Sequence, residues 1–146
     1  MRMSARYRGV GMRFSNVFSE FTEKCGLGAP VQADGEKTLL FDGIHVVTFQ
    51  CNKEDHSVIL SSEICDAAQL AEDEWEMLLE ASLLGAQTGG AAFAVSRKLG
   101  KVVLWKRHDD AFEDVVALEK AVNTFLAAVI TWSGRLASSS NIQVYA

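Results

Sequence analysis

Cysteine is scarce and badly spaced for chemistry. Cys25, Cys51 and Cys65 are the only three. An odd count without a CxxC pair excludes a disulfide framework and a zinc site of the usual spacing, and it fits a reducing cytosol. Histidine offers no more. His45, His56 and His108 are scattered, with no HExxH or HxxxH pair to hold a metal. No GxSxG elbow raises a serine's nucleophilicity. The uninterrupted apolar runs fall far short of a membrane span. Positive charge is the minority, 14 Lys and Arg against 19 Asp and Glu for a net charge of -5. That balance argues against a nucleic-acid binder, which needs a basic footprint. No catalytic centre, cofactor or metal is expected.

The positive charge that exists is concentrated at the start. Arg2, Arg6, Arg8 and Arg13 precede the first acid, Glu20. This stretch has no apolar run, so it is not a secretory signal; a transit peptide or a translation start at Met12 are the other readings. Without residues 1–11 three arginines go, and -5 minus 3 gives a net charge of -8. Residues 1–11 are therefore taken as a basic extension, 12–136 as the domain and 137–146 as a loose tail.

The 146 residues suit one domain with a real core. Phe14, Val17, Phe18 and Phe21 recur at i, i+3, i+4, i+7, with Cys25 continuing the stripe. That spacing predicts an amphipathic helix, stopped by Gly26 and Gly28. A loop from Pro30 to Glu36 follows. "KTLLF", "IHVVTFQC" and "SVILSSEI" then read as strands, joined by the hairpin signal Asp42-Gly43 and the polar turn at 52–55. "AEDEWEMLLEASLLGA" predicts a second helix with Glu72, Asp73 and Glu74 in its first turn, where they complement the helix dipole. "AAFAVS" and "KVVLWKR" form a second hairpin around "RKLG". A third helix is expected to open at Asp110, with Glu113 at capping-box spacing, and to stop near Gly134. The order α-β-β-β-α-β-β-α, with hairpin connections, is α+β: one antiparallel sheet of about five strands and three helices.

Three local features invite chemistry and do not support it. "GAQTGG" has the glycines of a phosphate loop, but it follows a helix and precedes a strand, the reverse of a Walker loop. Cys65 with a distant histidine would make a small thiol enzyme, yet nothing nearby activates it. "AEDEWE" is an acidic run, better read as a solvated helix start than as metal ligands.

What the chain does have is surplus apolar surface. On the second helix Trp75, Leu78, Leu79, Ser82, Leu83 and Ala86 make one stripe, and Met77, Ala81 and Leu84 make another. A helix apolar nearly all round is buried on both sides. The second side meets another chain, or the third helix wraps over it; a symmetric dimer is the preferred reading. The strands repeat the excess. Leu39 and Phe41 oppose Leu40; Val47, Phe49 and Cys51 oppose Ile44 and Val46. One phase packs under the helices and the other leaves an apolar patch, the mark of a binding surface. Which phase faces inward depends on a one-residue register.

Taken in order, "FSEFTEKCGLG", "LLFDGIHVVTFQCNKEDHSVIL" and "LLEASLLGAQTGGAAFAVSRKLGKVVLWKRHDDAF" resemble the class I type III secretion chaperones, the Tir chaperone (CesT/SycE-like) family of Gram-negative bacteria. The resemblance covers about Met12 to Leu136; the basic extension has no counterpart in it. It implies a cytoplasmic homodimer that holds the N-terminal region of a secreted effector extended and export-competent without hydrolysing ATP. It implies no catalytic residue or cofactor, and no nucleic-acid or membrane partner. The ATPase of the secretion apparatus is a further expected partner. Val17, Leu40, Ile44 and Val46 are the candidate effector-binding residues. Trp75, Leu78, Leu79, Ser82, Leu83, Ala86, Phe93 and Val95 are the candidate dimer interface. A scaffold of the same fold without a secreted client is the alternative.

Overall fold

The computed structural model describes residues 14–27, 31–33, 36–52, 54–110 and 112–145. The basic extension, Met12 included, lies outside them. In chain order the elements are α1 (14–24), β1 (Val31–Ala33), β2 (Glu36–Phe41), β3 (His45–Cys51), β4 (Val58–Asp66), α2 (Glu72–Ala81), β5 (Ala92–Ser96), β6 (Lys101–His108) and α3 (Val115–Tyr145). The strands form one sheet in the order β1-β2-β3-β4-β6-β5. The α+β class, the three helices and the five expected strands are present in the expected order. β1 is additional. It is a three-residue strand on the outer edge of β2, pairing Val31 with Thr38 and Ala33 with Glu36. Three residues are too few to give an alternating pattern, so this stretch reads as loop in sequence.

Residues 14–60 and 107–123 form one compact unit. Its core is aromatic. Phe14, Phe18 and Phe21 of α1 are buried, with the Phe18 ring edge-on to Phe49 of β3 at 5.1 Å and Phe14 at 6.5 Å from Phe112. α1 closes with Gly26 at φ 65°. The Leu27 N–H bonds to the Thr22 carbonyl at 3.0 Å and the Gly26 N–H to Glu23 at 3.2 Å, the double bond of a Schellman stop. The helix thus ends before Cys25, which is exposed rather than part of the buried stripe. An exposed ion pair, Lys24 with Glu119 at 2.7 Å, links α1 to α3.

Residues 61–106 and 124–145 form the second unit. Leu78, Ala81, Val102, Trp132 and Leu136 are its buried cluster, lined by Ile64, Cys65, Trp75 and Phe93. α2 starts without a capping side chain at Ala71; the Glu74 carboxylate folds back to accept the Ala71 N–H at 2.9 Å and is buried in doing so. The helix ends at Ala81, five residues before its expected end, and a 3-10 turn at Leu83–Gly85 follows. The break is at Leu84, whose φ of 54° no helix accommodates.

α3 differs at both ends from the sequence reading. It begins at Val115, and the capping residue is Asp114: its Oδ1 accepts the Ala117 N–H at 2.9 Å, which is N-cap to N3 geometry. The pair Asp110 and Glu113 lies upstream of the helix. Gly134 does not end it; the helix continues to Tyr145 and so takes in most of residues 137–146. A glycine in a helix interior costs only about 1 kcal/mol, and Trp132 and Leu136, buried on either side of it, hold the turn in place. The Val115–Ala137 stretch is long enough to cross a membrane, and an 18-residue window within it has a mean hydropathy of 1.4. Its buried residues Leu118, Val122, Phe125, Val129, Trp132 and Leu136 repeat at helical spacing, as in a helix with one face in a protein core.

Candidate functional site

Backbone geometry decides which face of the first hairpin is wet. Asp42 and Gly43 both have positive φ, 53° and 67°, so the chain reverses tightly and the Ile44 N–H bonds back to the Phe41 carbonyl at 3.1 Å. The resulting register pairs Leu39 with Val47 and Leu40 with Val46. Leu39, Phe41, Val47 and Phe49 are buried. Leu40, Ile44 and Val46 are therefore on the solvent side, 53%, 74% and 46% exposed. Two threonines continue that face, Thr38 and Thr48, with hydroxyls 3.2 Å apart. The result is a small apolar surface at the hairpin tip grading into a hydroxyl pair. It can take apolar side chains from a partner.

Val17, the fourth candidate of this group, is elsewhere: it is buried in the α1 core. Lys37 brings a charge to the inner face. The Lys37 ammonium lies 4.9 Å from the centre of the Phe18 ring and donates to the Ser15 hydroxyl at 3.1 Å. Burial pushes its pKa down, and the ring face offsets part of that desolvation.

The second surface is in the other unit. Leu79, Leu83 and Val95 are exposed, and Leu84 projects almost fully into solvent at 96%. Ala86 is exposed as well. Leu78 is not on this surface; it points into the core with Ala81. Trp75 and Phe93 are half-buried against that core, and the Phe93 ring stands edge-on to Trp132 at 5.2 Å. Ser82 ties the end of α2 to the edge strand: its hydroxyl donates to the Leu78 carbonyl at 2.9 Å and accepts the Phe93 N–H at 2.9 Å. The two stripes inferred from spacing are thus mixed. The inward side of α2 takes Leu78 and Ala81, one from each stripe, because residues three apart share a helix face. Leu84, placed by spacing on the second stripe, is exposed in the turn after α2, and Leu99 is an exposed addition in the β5–β6 turn that strand periodicity could not single out.

The glycine turn between α2 and β5 offers carbonyls. Gly85, Gly89 and Gly90 all have positive φ. A Cβ on Gly85 would lie 2.4 Å from the Gly90 Cα, so the two strands of the turn touch. The Gly89 carbonyl accepts from Lys106 Nζ at 2.9 Å and the Gln87 carbonyl from Trp132 Nε1 at 3.1 Å. A phosphate cradle needs converging N–H groups at a helix start; here a helix end presents oxygens to protein donors.

The remaining candidates do not assemble. Burial, then the neighbouring Asp66 and Glu74 carboxylates, push the Cys65 thiol up to about 11, so it stays protonated and weakly nucleophilic at neutral pH. Among the described residues no group of three or more His, Cys, Asp or Glu could hold a metal ion. The 52–57 turn is a structural network: Asp55 accepts the Ser57 hydroxyl at 2.6 Å and N–H at 3.0 Å, and Arg107 at 2.9 Å. Those donors, the Ser57 hydroxyl foremost, pull the Asp55 carboxyl down to about 2.

Comparison with known proteins then gives the arrangement a context. The model of the Tir chaperone protein (CesT) family matches residues 16–133. A chain of the HopA1–SchA chaperone–effector complex is similar in structure at a TM-score of 0.70 and 14% identity, over 85% of this chain and 95% of that one. The Yersinia pestis type III secretion chaperone SycH, in complex with a fragment of YscM2, is similar at 0.61 and 15%, over 82% and 98%. YbjN from E. coli, described as a putative transcription regulator, shares the fold at 0.57 and 13%, over 88% and 92%. No curated protein matches the sequence.

Proposed function

The chain belongs to the Tir chaperone protein (CesT) family, and on that premise we propose that it is a type III secretion chaperone for the N-terminal segment of a secreted effector. The observation that carries the reading is the outward face of the β2–β3 hairpin. Leu40, Ile44 and Val46 remain exposed there, although the opposite phase of the same strands already supplies the core. A folded domain gains nothing from leaving such residues in water; an extended client segment gains by burying them. The task is to keep that segment unfolded and soluble until export. Binding alone achieves this, so no nucleotide hydrolysis and no catalytic residue are required. Leu79, Leu83 and Val95, with the neighbouring Leu84, form the homodimer surface in this reading, and the protein works in the bacterial cytoplasm, where the secretion ATPase is the natural recipient of the complex.

The fold alone also admits a second reading, an adaptor of the same fold with no secreted client, since YbjN shares that fold. Co-expression with effectors encoded beside this chain separates the two. The chaperone reading expects a soluble complex through the effector's N-terminal segment. If neighbouring effectors neither co-purify nor gain solubility, the adaptor reading replaces it.

A further inference from the structure

Among the described residues no acid pairs with the Lys37 ammonium. The ion pairs there are Lys24–Glu119, Lys101–Asp66, and Arg107 with Asp55 and Asp109. Lys37 lies in the inward phase of β2 with Leu39 and Phe41, yet it is half-buried rather than enclosed. Its ammonium sits over two rings of α1, 5.8 Å from the centre of Phe14 and 4.9 Å from that of Phe18. One hydrogen bond goes to the hydroxyl of Ser15, itself half-buried, at 3.1 Å. Burial lowers the Lys37 pKa, and the titratable neighbour that acts against this is the Cys51 thiol, not a carboxylate.

The fold does not need this charge. A methionine would cover the same rings without the cost of desolvating an ammonium. What the charge adds is a pair of donors. An ammonium carries three N–H groups, and Ser15 takes one; the hydroxyl accepts that bond through a lone pair and keeps its own proton to give. Two donors 3.1 Å apart suit the two oxygens of one carboxylate. Partial desolvation beside the rings strengthens a charge-assisted contact of this kind. The balance of the chain also selects for it. At a net charge of -5 most of the surface repels an acidic partner group, and Lys24 and Arg107 of the same unit are already held by acids.

We infer that Lys37 and Ser15 form a carboxylate-binding subsite for one acidic side chain of the client segment. This inference rests on the chaperone reading above. It adds a polar specificity contact on the α1 side of β2, distinct from the apolar face of the hairpin.

Lys37→Met and Lys37→Gln in the full chain test it, with the N-terminal segment of the co-purifying effector as probe. Lys37→Met is expected to melt no lower than the wild type. Both variants are expected to weaken Kd for the segment by about tenfold or more. Each Asp and Glu of the segment is then changed singly to its amide. One such change is expected to weaken binding to the wild type equally and to cost nothing further against Lys37→Met. Lys37→Glu, met by Lys at that same client position, is expected to recover binding. Variants that capture the segment like the wild type overturn the assignment, and so does a loss that no single client acid shares. If both variants melt lower, Lys37 serves the fold and the inference fails. Sodium acetate separates the two sources of a carboxylate. If it shifts the Lys37 Nζ resonance and the client segment does not displace it, the subsite takes a free anion and the inference also fails. A wild type that binds no effector segment overturns the chaperone reading itself.

Discussion

Placing a carboxylate on either side of one strand should have opposite consequences one residue apart. Val47 is buried and Val46 is about half exposed, 0% against 46%. Val47→Asp would put an unpaired charge into the aromatic core of the first unit, for at least about 3 kcal/mol. For a chain of this size each kcal/mol moves Tm by about 2–4 °C, so a fall of roughly 6–12 °C is expected. Ile44→Asp and Val46→Asp keep the new charge in water, and Tm should hold within about 2 °C. Client binding should respond the other way. Full burial of an isoleucine contributes about 1.5–3 kcal/mol, and Ile44 is mostly exposed before binding, so about 1–2 kcal/mol is at stake. That is about tenfold in Kd or more, since the carboxylate must also shed water. Thermal unfolding and pull-down of a co-expressed effector's N-terminal segment, run on all three variants, read both axes. Equal loss of stability in Val46→Asp and Val47→Asp would refute the assignment of faces. Normal stability with normal capture in Ile44→Asp and Val46→Asp would remove this hairpin from the binding surface.

Gly85→Ala should destabilise by about 3 kcal/mol or more, because a left-handed φ is joined by a Cβ 2.4 Å from the Gly90 backbone. Gly43→Ala meets nothing within 4 Å and should cost only about 1–2 kcal/mol; equal losses in urea unfolding would discount the close approach. Cys65 should react slowly with iodoacetamide at pH 7, at a thiolate fraction of roughly one in ten thousand, and Cys65→Ser should capture client normally; rapid labelling would contradict its burial. Asp55 titrates lower in the folded chain, near 2, than when unfolded. Its contribution should be complete above the ordinary carboxylate range and vanish as pH falls through about 2. Ser57→Ala should flatten that acid limb of the stability curve, and an unchanged limb would show that Asp55 does not drive it.

Much of this was open to inspection in the sequence because periodicity sorts residues by the face they share. Alternation in "TLLF" and "HVVTFQC" separated the two strand faces correctly into sets, and the Asp42-Gly43 signal gave the hairpin. What alternation cannot supply is the sign of the face; that required α1 to cover one side. The errors fall where a local backbone event interrupts a period. Leu84 adopts a left-handed conformation and cuts α2 short, so residues counted as two continuous stripes end up partly in a turn. Gly134 carries the usual stop signal, yet the buried pair Trp132 and Leu136 overrides it. Asp110 and Asp114 are equally good caps on paper, and only the Ala117 N–H distinguishes them. Val17 and Leu78 were counted as binding residues because apolar spacing does not tell a core position from a surface one.

The two candidate surfaces fall in different compact units. Leu40, Ile44 and Val46 belong to the first, while Leu79, Leu83, Leu84 and Val95 belong to the second. The separation makes a claim about energetics. Residues that share no partners contribute independently, within about 0.3–0.5 kcal/mol. Combining Ile44→Asp with Leu79→Asp should therefore give the client loss of the first and the dimer loss of the second, unchanged. If instead Leu79→Asp alone also lowers client affinity, the client touches both copies at once. Its second contact then acts at an effective concentration set by the dimer. That outcome would change the molecule from two independent grips into one continuous binding surface that exists only when the pair is formed.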